Sequence, residues 1–203
     1  MARSRTDLKQ ASRDEIVRCA SERFRKDGLA AVGVRTLMAD AGLTHGAFYA
    51  HFPSRAELVS AALDHAVDST LLYLKAAIDN APEGGKLQAL VHTYLLPAHR
   101  EHTERGCAAS ALAPEIAREN RDARDHFEKR NYAIVKLIAD NLPAGGTSRE
   151  RKSWALAVFA SMLGTLQLMR IASKPRDVDD IMQTGRRAAL ILAEQWPLQI
   201  KAR

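Results

Sequence analysis

Apolar residues recur at every third or fourth position along nearly the whole chain, and the runs are interrupted by glycine and proline. Ile16, Ala20 and Phe24, with Val17 beside them, are one such stripe; Leu87, Leu90, Val91, Tyr94 and Leu95 are another. Phe127, Ile134, Val135 and Ile138 repeat the spacing further on. That period puts the apolar side chains on one face of a helix. Alternating runs of Val, Ile, Thr and aromatics between tight turns, the mark of strands, do not occur. The chain therefore reads as all-α, with about nine helices, three of them short and near the N-terminus.

With 203 residues and 46% hydrophobic composition the chain has material for a packed core, so a disordered or collagen-like chain is excluded. Two cysteines, Cys19 and Cys107, do not make a disulfide framework, and a reducing, cytoplasmic setting is expected. The opening MARSRTDLKQ carries charges throughout and does not read as a secretory signal. The longest uncharged run, Ser153 to Met169, falls short of the ~20 residues of a spanning helix, so no membrane partner is expected.

Charge divides unevenly. Residues 1–55 hold 10 Lys+Arg and 6 Asp+Glu, a net of +4, and the remaining residues contribute only +2 of the total of +6. A basic N-terminal unit on a near-neutral body suits a polyanion, although a solvated basic surface has the same composition.

Residues 13–27 read as an amphipathic helix, with Ser12 and Glu15 as a capping box and Gly28 as the stop. A short helix over 34–41, closed by Gly42, precedes another over 45–51. Ser54 and Glu57 then open a long helix to about residue 80. Beyond the Pro82–Gly85 break, helices are expected over 87–95, ending or kinking near Pro97, and over 107–113. Pro114 is expected in the first turn of a helix running to about residue 141. Ser148 is expected to cap a helix to about residue 172, and Asp177 one to about residue 195, before Pro197.

The two short helices joined by Gly42, Leu43 and Thr44 form a helix-turn-helix pattern. Gly42 permits the positive φ of a tight turn, Leu37 and Leu43 can pack its corner, and Ala39 and Ala41 keep the bracing helix slim. A helix entering a major groove about 12 Å wide needs small or polar side chains outside. His45, Gly46, Ala47, Tyr49 and Ala50 meet that need, with Phe48 and Phe52 turned to the core.

The segment GLAAVGVRTLMADAGLTHGAFYAHFPSRAEL, residues 28–58, resembles the N-terminal DNA-binding domain of the TetR family of bacterial transcriptional regulators. The resemblance implies that Arg35 reaches a base edge or phosphate and that Thr44 meets a phosphate at the recognition-helix N-terminus. It further implies that His45, Gly46 and Ala47 face bases, that Tyr49 and His51 contact the DNA backbone, and that Arg55 anchors a phosphate. Gly33 departs from the family's usual Ser or Thr, so a capping hydroxyl is missing there. The implied domains are a helix-turn-helix domain over 1–53, with a flexible basic arm over 1–11 (Arg3, Arg5 and Lys9 included), and a larger helical effector-binding and dimerisation domain over 54–203.

By the same resemblance the last two helices form a four-helix bundle with a second copy, giving a homodimer on palindromic double-stranded DNA. Trp154, Ala157, Ser161, Gly164 and Leu168 on the first, with Ile181, Gly185, Ala188 and Leu192 on the second, are the expected interface. Burial inside one subunit fits these residues equally well when the spacing alone is considered. An unidentified small-molecule effector is expected among Leu72, Tyr94, Leu95, Cys107, Leu112, Phe127, Tyr132 and Trp154, and the regulator is expected to be a repressor that the effector releases.

Two further readings remain. Cys107 opens a short helix beside Arg105, a setting that favours thiolate, and GCAASALAPEIARE resembles family members in which a cysteine senses electrophiles or oxidants; an inert core cysteine is the alternative. His99 and His102, three apart, present a pair that a metal-dependent enzyme could use. No third ligand follows at a set spacing, and no nucleophile elbow, phosphate-cradling glycine loop or CxxC pair is present. A non-enzymatic protein without a cofactor is expected.

Overall fold

The computed structural model describes residues 4–195, and every regular element among them is helical. In chain order these are α1 (Arg5–Asp27), α2 (Val34–Asp40), a 3₁₀ helix (His45–Ala50), α3 (Arg55–Asp79), α4 (Lys86–Tyr94) and α5 (Pro97–Glu101). A 3₁₀ turn (Thr103–Arg105) leads to α6 (Ala108–Ile116), α7 (Arg121–Asp140), α8 (Ser148–Ile171) and α9 (Pro175–Glu194). Arg3 and Pro197 lie outside the described residues.

The chain divides into two compact units, and the division falls within α3 and α7. One combines residues up to 69 with 103–130; the other combines 70–102 with 131 onward. The first thus gathers α6 and the start of α7 with the helix-turn-helix. Its core is Ile16, Phe24, Leu37, Met38, Phe48, Phe52 and Leu58, each at most 1% exposed. The second is centred on α8, whose Val158, Met162, Leu166 and Met169 are wholly buried. α8 is long and apolar enough to cross a membrane by length and composition, more so than its uncharged run suggests. Its buried face is instead occupied by α9. A Cβ on Gly185 would lie 2.1 Å from Cγ2 of Thr165, so the two helices meet at a point only glycine allows.

Several helix starts differ from the sequence reading. α1 begins two turns early: Ser4, not Ser12, is the cap, its Oγ accepting from Asp7 N (3.1 Å) while Ser4 N donates to Asp7 Oδ2 (3.0 Å). Residues 5–11 are therefore helix, not a flexible arm, and the Ser12 hydroxyl donates back to Leu8 O. Thr147, not Ser148, caps α8 through a full capping box with Glu150. Pro175 opens α9 ahead of Asp177, and Pro114 lies inside α6 rather than starting the next helix. The Ser54 cap is present, its Oγ accepting from Glu57 N at 3.2 Å.

Candidate nucleic-acid interface

The turn that aims the interface is built by backbone closure at the end of α2. Gly42 sits at φ 71°. Its N–H donates to Ala39 O (3.0 Å), and Leu43 N–H donates to Met38 O (2.8 Å). This 6→1 and 5→2 pairing ends the helix on a left-handed residue, as a glycine stop requires. At the other end of α2, Gly33 is the N-cap and no side chain caps it. Arg23 braces α2 from α1, with Nε to Asp40 Oδ2 at 2.7 Å and Nη1 to Asp27 Oδ2 at 2.9 Å.

The segment after the turn is 3₁₀ rather than α-helical, with Thr44 as its extended N-cap. Phe48 and Phe52, stacked at 5.9 Å between ring centroids, anchor it from beneath. The opposite side is open. Thr44, His45 and Gly46 are exposed, Ala47 and His51 are half-buried, and Tyr49 stands 72% exposed against the edge of Phe48. Arg35 is exposed on α2. Burial, with the positive charges of Lys9 and Arg13, lowers the pKa of the His51 imidazole from the ordinary histidine value, which disfavours its charged form.

Arg55 lies apart from these residues in its bonding. Its Nη2 donates to Leu29 O and, at 3.4 Å, to Val32 O, and its guanidinium lies over the Phe24 ring. It holds the α1–α2 loop from one side. Glu115 of α6 holds the same loop from the other, accepting from Leu29 N at 2.7 Å and Ala30 N at 3.2 Å. Together they bind four backbone groups of the loop, Leu29 N, Ala30 N, Leu29 O and Val32 O, which ties down the mount of the helix-turn-helix. Sequence reading missed Glu115, because nothing local marks a contact across more than eighty residues.

The residues expected around an effector fall in both units. Cys107, Leu112 and Phe127 are buried in the first; Tyr94, Leu95 and Trp154 are buried in the second. Tyr132 is half-buried beneath Lys152, whose Nζ is 4.2 Å from its ring. Leu72 departs from the expectation, standing 74% exposed. Cys107 is the N-cap of α6 but wholly buried, which removes the access that a reactive thiolate needs.

Of the expected interface residues, Ala157, Ser161, Gly164, Leu168, Ile181, Ala188 and Leu192 are at least partly open. Gly185 and Trp154 are not: Gly185 faces Thr165, and Trp154 donates its indole N–H to Leu192 O at 2.5 Å. Leu156 and Ile171 on α8 and Ile191 on α9 are exposed apolar residues that the sequence reading passed over. Their spacing was legible, but the outer face was not distinguishable from the buried one.

The proposed histidine pair does not form. α5 ends at Glu101, so His102 lies past its end, while His99 is buried with Nδ1 2.6 Å from Tyr94 O. Among the described residues no group of three His, Cys, Asp or Glu is placed to hold a metal ion.

A short braced helix, a glycine-closed turn and an open polar segment on an aromatic footing define a helix-turn-helix protein. Residues 16–62 match the family described as bacterial regulatory proteins, tetR family, and the chain has the all-helical fold of solved TetR-family structures. A putative TetR-family regulator from Rhodococcus sp. superposes with a TM-score of 0.72 at 19% identity, covering 91% of this chain and 99% of that one. A TetR regulator from Chloroflexus aurantiacus J-10-FL gives 0.74 at 19% identity, over 90% and 96%. E. coli NemR in its reduced form gives 0.72 at 17% identity, over 87% and 96%. No curated protein sequence matches the chain.

Proposed function

We propose that the protein is a ligand-responsive repressor that binds a palindromic operator as a homodimer in the cytoplasm, with no catalytic role. The observation that carries the DNA contact is the open segment Thr44–Tyr49, small or polar outside and fixed by Phe48 and Phe52 beneath. Thr44, His45, Gly46, Ala47, Tyr49, His51 and Arg35 make that contact, while Arg55 supports it through the α1–α2 loop. A second copy covers the open faces of α8 and α9, which supports recognition helices one duplex turn apart, roughly 34–36 Å. An effector in the C-terminal helices acts by binding the DNA-incompetent spacing better than the competent one.

Selection of bound duplexes from a random pool tests this reading. The expected product is a palindrome with half-sites about one turn apart. Tyr49→Ala and Arg35→Ala should each weaken the selected operator by about 1–3 kcal/mol. No enriched sequence, or binding unaltered by both changes, would overturn the assignment.

A further inference from the structure

Four of the positive charges in the basic N-terminal region are engaged within the fold. Arg18 is paired with Glu15 (2.6 Å) and Glu22 (3.0 Å), and Arg23 with Asp27 and Asp40. Arg25 is buried and donates to Ser21 O and Gly106 O. Arg55 is turned onto Leu29 O and Val32 O. Among the described residues, Arg5 and Lys9 have neither a hydrogen bond nor an ion pair and are exposed, while the Arg13 guanidinium only lies over the Phe52 ring, at 4.7 Å. Three of the uncommitted cations therefore stand at i, i+4 and i+8 on one helix.

Their placement on that helix is one-sided. At about 100° per residue, Arg5, Lys9 and Arg13 share an arc of roughly 80°. The two nearby carboxylates lie on the far side and are engaged there, Asp7 with Ser4 and Asp14 with Gln10 (2.7 Å). Further along α1 the same arc carries Ile16, Ala20 and Phe24, all buried. So the face that packs into the domain becomes basic where α1 runs past the core. Phe52, under Arg13, follows directly on the recognition segment. The stripe is therefore continuous with the residues proposed to meet DNA.

We propose that Arg5, Lys9 and Arg13 form a second DNA-contacting surface, a phosphate-binding face on the first turns of α1 that flanks the helix-turn-helix. The proposal rests on the DNA-binding reading above. From Arg5 to Arg13 the helix rises about 12 Å, over which one strand of a duplex presents three to four phosphates at about 3.4 Å of axis each. Contacts of this kind fix the position and orientation of the protein on the duplex and carry no sequence information. They add backbone anchoring beside Arg55, whose Nη2 is turned onto Leu29 O and Val32 O.

The test is the salt dependence of binding to the selected operator, comparing the parent chain with the double variant R5Q/K9Q. Both substitutions keep a good helix former at an exposed position. In a dimer the double variant loses four phosphate contacts, so the slope of log K against log[salt] should become shallower by about 3–4. The selected sequence should stay the same, and the charge-retaining R5K/K9R should keep the parent slope. A parent-like slope in R5Q/K9Q, or a slope in R5K/K9R as shallow as in R5Q/K9Q, overturns the phosphate face and leaves the helix-turn-helix reading intact. A parent chain that selects no duplex overturns both.

Discussion

At the scale of single residues, glycines show what a sequence can and cannot say. Gly42 was legible because its role is local: the turn needs a positive φ, and the residue has one. Gly185 was legible only as a close approach. Its small size announced a neighbour, but the neighbour is Thr165 of the same chain rather than a second subunit. Gly46 differs from both, because it has neither the positive φ of Gly42 nor the close neighbour of Gly185: a Cβ there would meet nothing within 4 Å. Its lack of a side chain serves nothing inside the fold, which points to an approach from outside. Gly46→Ala should change thermal stability by less than about 1 kcal/mol. It should weaken operator binding by about 1–3 kcal/mol in a titration against the selected duplex. His65 gives a pH prediction. Burial first, then Arg25 and Arg18 against Glu22 and Asp68, hold its imidazole below the ordinary value, and its Nδ1 has no hydrogen-bond partner among the described residues. The unfolded chain thus takes up this proton near pH 6.5 while the folded chain does not. Stability from this group is complete above pH 6.5 and is lost as pH falls below it toward the folded value. The melting temperature should drop between pH 6.5 and 5, and His65→Gln should flatten that part of the curve; an unchanged curve would show that His65 is not responsible.

At the scale of elements, apolar period found the helices and misplaced their charged ends. The first two turns of α1 carry no apolar stripe; the Ser4–Asp7 box and the Gln10–Asp14 bond hold them. Ser12 with Glu15 mimics a start because the same pattern fits a helix interior. C-terminal ends are managed differently, by arginine. Arg100 donates to Met169 O (2.6 Å) and Ala172 O (3.1 Å) at the end of α8. Arg186 donates to His92 O and Leu95 O at the end of α4, and Arg151 to Ala139 O, Leu142 O and Pro143 O at the end of α7. Cations at helix C-termini satisfy orphan carbonyls and favour the dipole, so part of the positive charge of the body is structural. Glu115 performs the mirror role on the α1–α2 loop amides. Glu115→Ala should cost about 1–3 kcal/mol in denaturant unfolding, since it strips the acceptor from two N–H groups. It should also speed hydrogen exchange at Leu29 and Ala30. Glu115→Gln, which keeps an acceptor, should recover part of both.

At the scale of the whole molecule, α8 decides between two solvents. By composition it could lie in lipid, yet its inner face is packed on α9 and its outer face is a stripe rather than a full apolar surface. Leu156, Leu168 and Ile171 lie along that stripe at 44%, 52% and 79% exposure, with Ala160 and Gly164 between them. Ile191 and Ala188 extend it onto α9. Small residues amid larger apolar ones suit the close approach of another helix pair, and an isologous contact about a two-fold presents the same stripe to itself. The all-helical class and the existence of this pair of helices were readable from periodicity, but which side each helix turns outward depends on Gly185 and Thr165 meeting inside the subunit. In the proposed dimer, Leu168→Glu places a carboxylate in the middle of the stripe on both copies. Light scattering should then report a monomer at concentrations where the parent is a dimer, with helix content unchanged. Operator binding should lose its steepness in protein concentration and weaken by more than tenfold, because each half-site is then held by one domain alone. Gly185→Ala should do the opposite, lowering the melting temperature while the remaining folded protein stays dimeric. A Leu168→Glu chain that remains a dimer of parent stability would place the contact elsewhere.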